Sequence, residues 1–170
     1  LIQQGRTFSY FLHRGTPEVL ITQNDIRAIQ LAKAALYAGA KLLMDKLGVK
    51  KVDKIRLAGA FGSHIDVKYA MILGMIPDCK IDMVTSAGNA ASTGARMALL
   101  DTASRDEIES EIRKIEKIET AMETKFQEYF VDAMAIPHNI DDFSELSKIV
   151  NLPKKTISQK PKRRRHTTKS

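Results

Sequence analysis

LAGAFG at residues 57–62 and AGNAASTGA at residues 87–95 are the two stretches of small residues that decide the fold. Each follows a short apolar run, residues 52–57 or residues 81–85, that is typical of a buried strand, and each leads into a predicted helix. A strand that ends in glycine and continues into a helix presents bare backbone N–H groups, which suit a phosphate or a nucleotide. The two stretches therefore predict a ligand site.

A purely structural explanation of the same glycines stays open. Glycine and alanine also occur at such turns because the backbone needs a positive φ, or because the helix packs closely on the sheet. Neither stretch is a standard phosphate loop, since Ala95 and Arg96 stand where Lys followed by Ser or Thr is required. Residues 59–62 also lack the third glycine of the dinucleotide-binding fingerprint.

The elements before these stretches are predicted to be a hairpin and a long helix. Residues 7–12 and 18–21 have the β-branched and aromatic composition of strands, with a turn between them. Thr22 and Asp25 have the spacing of a capping box at the start of a helix, and Gly48 is placed to end it. From residue 22 the order is helix, strand, helix, strand, helix, which predicts an α/β fold.

The later elements are predicted from caps and apolar periodicity. Ser63 or Asp66 is expected to cap the helix after the first stretch, and Ser104 to begin a further helix. The isoleucines at helical spacing in that further helix are expected to form a buried stripe; they are Ile108, Ile112, Ile115 and Ile118. Helical pieces are also expected around residues 126–131 and 141–150, with an extended segment at residues 134–137.

Charge divides the chain into two parts. The net charge is +7, but residues 151–170 contain eight Lys and Arg and no acidic residue, so residues 1–150 are close to neutral. We expect residues 1–150 to form one folded domain and residues 151–170 to be a basic, flexible tail or linker. The tail has no aromatic residues interleaved with its basic ones, so we predict that it is not a nucleic-acid site.

Composition excludes several classes of function. Cys79 is the single cysteine, so these residues form no internal disulfide and hold no thiolate-ligated iron–sulfur cluster. The four histidines lack metal-ligand spacing, and no nucleophile–histidine pattern is present, so we predict no metal site and no catalytic residue. Without a long apolar stretch or a signal peptide, the protein is expected to be cytoplasmic, with no membrane contact. Because Leu1 is not a methionine, we expect a piece of a longer protein.

Several motifs in a fixed order resemble the C-terminal ATPase region of the reductive activators of corrinoid proteins. They lie at residues 21–33, 57–66 and 88–99, and the resemblance extends from residue 21 to residue 137. It implies the superfamily of acetate and sugar kinases, heat-shock ATPases and actin, in which a nucleotide lies between two ribonuclease-H-like lobes. This chain would be most of the second lobe, with a mixed sheet flanked by helices.

The resemblance also implies the site residues. Gly59, Ala60, Phe61 and Gly62 would form the turn on the adenosine side of the nucleotide. The neighbouring part of the cleft would be lined by Gly88, Asn89 and Ala90. The cofactor would be ATP with Mg. Glycine at these turns would let the base and the ribose lie against the backbone.

In this family ATP drives electron transfer from an iron–sulfur cluster to cobalt, which returns a corrinoid methyltransferase protein from Co(II) to Co(I). The cluster domain and the other lobe lie outside the residues that match, and the chain particularly resembles the activators of methylamine pathways in methanogens. Three alternatives remain: an activator of a radical-type dehydratase, a small-molecule kinase of the same superfamily, or an interaction module whose cleft binds no nucleotide.

Overall fold

Three short strands at the start of the chain form an antiparallel sheet. They are β1 (Ile2–Gln4), β2 (Thr7–His13) and β3 (Val19–Ile21), in the order β1-β2-β3. The computed structural model of the protein describes residues 1–5 and 7–152, so the predicted basic tail lies outside the described residues apart from residues 151–152. The predicted hairpin is confirmed.

The long helix α1 (Gln23–Lys46) begins with the predicted capping box. The Thr22 hydroxyl accepts a hydrogen bond from the Asp25 backbone N–H at 3.2 Å, and the Thr22 N–H donates to the Asp25 carboxylate at 2.7 Å. Gly48 follows the helix with a left-handed φ of 66°, as its position predicts. Two backbone N–H groups at the start of α1, which have no partner within the helix, are therefore satisfied by local contacts alone.

Two parallel strands form a second sheet and determine where the site lies. They are β4 (Ile55–Ala58) and β5 (Val84–Gly88), with Ile55 opposite Val84 and Ala58 opposite Gly88. The apolar runs predicted these strands with different bounds, because residues 81–83 form a turn of 3₁₀ helix instead of the start of β5. The predicted α/β class is confirmed, but the described residues do not form the single mixed sheet that was predicted, because the antiparallel and the parallel strands lie in separate sheets.

Each parallel strand continues directly into a helix. β4 is followed by α2 (Gly59–His64) and α3 (Val67–Leu73), and β5 is followed by α4 (Ala90–Leu100). Of the two predicted caps, Asp66 is the one used, since its carboxylate accepts from the Tyr69 N–H at 3.1 Å. Gly74 ends α3 in a left-handed conformation with a φ of 71°.

The predicted isoleucine stripe is wrong. The helix α5 (Thr102–Ile112) is capped by Asp101 instead of Ser104, and it ends before the last two isoleucines of the stripe. Ile112 is 60% exposed and Ile115 is 72% exposed. Among the described residues α5 lies mainly against α4, so no element covers this face.

The last helices cover the core. The helix α6 (Thr124–Ala133) packs along α1, and the short helix α7 (Ser144–Ser147) lies against α3. Residues 134–137, predicted to be extended, follow a turn and bends instead. The buried core joins α1, α3, β5, α6 and α7 and contains Ala34, Tyr37, Ala70, Met71, Ile76, Cys79, Val84, Ala133, Phe143 and Leu146.

Candidate functional site

The two small-residue stretches lie side by side at one edge of the parallel sheet. We call residues 59–62 the first turn and residues 88–90 the second turn. Because β4 and β5 are parallel neighbours, their carboxyl ends meet at this edge, and Ala58 pairs with Gly88. In α/β proteins this is the edge at which ligands bind.

Gly59 and Gly88 combine a left-handed backbone with open space. Their φ angles are 90° and 61°, and a Cβ built on either glycine would meet no atom within 4 Å. The positive φ supports the structural explanation of these glycines, and the open space supports close approach of a ligand. Both explanations therefore apply to these two glycines.

Gly62 serves packing. A Cβ at this position would lie 2.8 Å from the carbonyl carbon of Leu57, so a side chain would push α2 away from β4. Gly62 is buried, whereas Ala60 and Phe61 of the same turn are exposed. The assignment of Gly62 to a ligand contact stays a prediction.

Phe61 offers an apolar ring at the first turn, and Asn89 organises the second. The Phe61 side chain is 65% exposed. Asn89 caps α4, because its side-chain oxygen accepts from the Ser92 N–H at 3.0 Å. Ala90 is the first residue of that helix and is exposed.

Two serine hydroxyls connect the turns, a contact that the sequence did not predict. Gly88 N–H donates to Ser86 Oγ at 3.1 Å, and Ser86 Oγ donates to Ser63 Oγ at 3.4 Å. Ser63 Oγ in turn donates to the Gly59 carbonyl oxygen at 3.2 Å. In the sequence, the only signal for this contact is that Ser63 follows Gly59 by four positions and Ser86 precedes Gly88 by two.

A comparison with known protein families decides what this fold is. Residues 1–147 match the family described as the C-terminal domain of RACo, the ASKHA domain. The chain belongs to this family. The predicted resemblance and the predicted actin-like fold are therefore confirmed.

Two relatives are longer than this ASKHA domain. The corrinoid activation enzyme RamQ of Eubacterium limosum is 41% identical over 116 residues, which cover 67% of this chain and 20% of that protein. The structure of a reductive activator for corrinoid, iron-sulfur protein is 30% identical, with a TM-score of 0.67, over 80% of this chain and 23% of that one. The chain thus spans about a fifth of the length of these relatives.

A cavity of about 650 Å³ lies at the opposite edge of the parallel sheet of the ASKHA domain. Its lining includes Asp53 and Lys80, which precede β4 and β5, together with Lys41 of α1. No residue of the first or second turn lines it. The cavity is therefore separate from the predicted site.

Two carboxylates of this cavity, those of Asp141 and Asp78, are engaged in structural contacts. Tyr37 Oη and Lys41 Nζ donate to the Asp141 carboxylate at 2.8 Å and 2.7 Å. Burial raises the pKa of Asp141, but the hydrogen bonds from Lys41 and Tyr37 outweigh burial, so the pKa lies below its ordinary value. Asp78 accepts from the backbone N–H groups of Glu145 and Leu146 at 2.8 Å and 3.1 Å. These contacts fasten α7 and the residues before it to the core.

The described part of the ASKHA domain contains neither a cluster of metal-binding side chains nor a helix that could span a membrane. Residues 1–5 and 7–152 contain no group of three or more His, Cys, Asp or Glu side chains placed to hold a metal ion. In the same ranges, no helix is both long enough and apolar enough to cross a membrane.

Proposed function

We propose that this chain forms one lobe of the nucleotide cleft of an ATP-dependent activase that returns a corrinoid protein from Co(II) to Co(I). Membership of the ASKHA family supports nucleotide binding. The observation that carries the proposal is the pairing of Ala58 with Gly88, which brings the two turns to the same edge of the sheet. Had the turns lain at opposite edges, no single nucleotide could contact both.

The proposed contacts follow from the geometry of the turns. Gly59, Ala60 and Phe61 lie against the adenosine, because the backbone there is unobstructed and the Phe61 ring is exposed. Gly88, Asn89 and Ala90 line the adjoining part of the cleft. Neither turn carries an acidic side chain, so we assign no Mg ligand to them. Carboxylates from elsewhere in the protein would hold the magnesium ion, which would supply positive charge to the phosphates.

The electron for the cobalt comes from outside these residues. Co(II) gains one electron to become Co(I), and the free energy of ATP is proposed to drive this uphill step through a change of conformation. An iron–sulfur cluster is held by about four cysteine thiolates, whereas Cys79 is the single cysteine of the sequence and is buried. The residues therefore do not fit a cluster, and we propose that the cluster lies in another domain, which lies outside these residues, as the other lobe of the cleft does.

The proposed partner is a corrinoid methyltransferase protein in the cytoplasm. The names of the relatives, a corrinoid activation enzyme and a reductive activator for corrinoid, iron-sulfur protein, support a corrinoid partner. More narrowly, we propose that the partner belongs to a methylamine methyltransferase pathway of methanogens. Comparing corrinoid proteins from different pathways in the assay tests this narrower proposal.

The test uses the full-length protein and two measurements. Calorimetry with ATP and with ADP, in the presence of Mg, should detect binding of both nucleotides. Absorption spectroscopy of a corrinoid protein with an electron donor should show Co(I) only when ATP is added. Absence of nucleotide binding would favour an interaction module, and nucleotide binding without ATP-dependent Co(I) formation would favour a dehydratase activator or a kinase.

A further inference from the structure

We infer that Ser63 and Ser86 are positioning residues that hold the first and second turns at a fixed separation. The inference rests on the proposed function, because the separation matters only if one nucleotide contacts both turns. Neither serine is itself assigned as a contact of the nucleotide. Their role is to fix the backbone of Gly59 and Gly88, which are the residues that face the open space.

The hydrogen bonds between the turns form one continuous relay. It starts at the Gly88 N–H, passes through the hydroxyls of Ser86 and then Ser63, and ends at the carbonyl oxygen of Gly59. Each hydroxyl accepts one hydrogen bond and donates one, so the directions of all the bonds agree.

The contact between the two serines is the part that local structure does not explain. A helical serine commonly donates to the carbonyl four residues before it, as Ser63 does to Gly59, and a serine commonly accepts from an N–H two residues on, as Ser86 does from Gly88. The bond from Ser86 to Ser63 joins residues 23 positions apart. It therefore joins α2 to β5.

The pairing of β4 with β5 is irregular at the point where the two serines meet. Leu57 is opposite Ser86 and Ala58 is opposite Gly88, so the register shifts and Ala87 is an extra residue on β5. A bulge of this kind disrupts the ladder locally and changes the direction of the strand. The serine relay therefore adds a connection between α2 and β5 next to the point where the ladder is interrupted.

The test measures ATP affinity of the full-length protein for the wild type and for S63A, S86A, S86T and the double variant S63A/S86A. Loss of either hydroxyl removes the bond between Ser86 and Ser63, which is the one that joins the two turns, and should weaken ATP binding about threefold to tenfold. S86T keeps a hydroxyl and should restore binding. Because the serines act through one shared contact, the double variant should bind about as well as either single alanine variant.

The controls separate positioning from stability and from the proposed function. S110A, at an exposed serine of α5, should leave ATP affinity unchanged. Because both serines are exposed, S63A and S86A should lower the thermal midpoint by a few degrees at most, so the variants stay folded in the binding assay. Wild-type affinity in S63A and S86A, or additive losses in the double variant, would overturn the relay while the proposed function stands. A wild-type protein that binds no ATP would overturn both.

Discussion

The ammonium group of Lys33 donates a hydrogen bond to the carbonyl oxygen of Pro137 at 2.7 Å, although 104 positions separate the two residues in the sequence. The Lys33 side chain also donates to the Ala135 carbonyl, and Gln30 Nε2 donates to the Met134 carbonyl at 3.1 Å. One polar face of α1 thus holds the segment that follows α6. Pro137 also lies against Gly74, where a Cβ would come within 2.0 Å of the proline carbonyl oxygen.

Replacing Lys33 with methionine should destabilise the protein. Lys33 is 1% exposed, so K33M would leave buried carbonyl groups without donors. We expect the free energy of unfolding to fall by about 2–3 kcal/mol, as for loss of a buried charged donor. Urea unfolding measures this. K68M, at an exposed lysine of α3, is the control, and equal stability of the two variants would show that the Lys33 contacts contribute nothing.

Stability should fall in mild acid because of His138. Burial lowers the pKa of His138, with Lys33 and Lys41 acting in the same direction and Asp141 and Asp132 opposing them. Its Nδ1 accepts from the N–H groups of Ile140 and Asp141, so the folded protein favours the neutral ring. Below a pH of about 6.5, His138 binds a proton in the unfolded chain but stays neutral in the folded protein. The free energy of unfolding therefore decreases by up to about 1.4 kcal/mol for each pH unit that the pH falls.

The measurement is chemical unfolding between about pH 5 and pH 7, the range in which histidine titrates. H138N removes the titrating group and should flatten the dependence on pH, whatever its effect on stability at neutral pH. H64N, at an exposed histidine of α2, should keep the wild-type slope. A slope that survives in H138N would assign the dependence to other groups.

The parts of the fold that were predicted correctly depend on neighbouring residues. The capping box of Thr22 and Asp25 is a local pattern, and so is the end of α1 at Gly48. The two turns were also found from local signals, since glycine after a strand needs no knowledge of distant residues. Whether those turns met could not be known from the pattern alone, because that depends on how β4 and β5 pair.

The parts that were missed depend on distant partners. The isoleucines of α5 have a helical period, but a period does not say whether anything packs on that face. Lysine usually lies at the surface, so its residue type does not predict burial. Lys33 is buried because the backbone carbonyls of residues 135 and 137 lie over its side chain. The contact of Ser63 with Ser86 likewise exists only after the parallel strands have formed.

A side chain at Gly88 should block the nucleotide with little effect on the fold. Asparagine tolerates a left-handed backbone better than other residues, so G88N should cost about 1 kcal/mol of stability or less. Its side chain would occupy the open space at the second turn, so we expect ATP affinity to fall by at least about tenfold, or about 1.4 kcal/mol. Calorimetry and thermal unfolding measure the two effects.

Gly48 provides a matched control for this substitution. Its φ is 66°, close to the 61° of Gly88, and a Cβ there also meets no atom within 4 Å. It follows α1, away from both turns, so G48N should carry a similar cost in stability and bind ATP like the wild type. Equal ATP affinity in G88N and G48N would remove Gly88 from the site.

The exposed ring of Phe61 should contribute to binding by contact with the base. Phe61 is 65% exposed at the first turn, where an aromatic ring is available to stack on a flat ligand. F61A should therefore weaken ATP binding by about 1 kcal/mol, or roughly fivefold, and F61Y should keep the affinity because it keeps the ring. Tyr69 of α3 is similarly exposed, at 62%, and Y69A is the control for loss of a surface aromatic. If F61A and Y69A bind ATP equally well in calorimetry, the adenosine does not lie against the first turn.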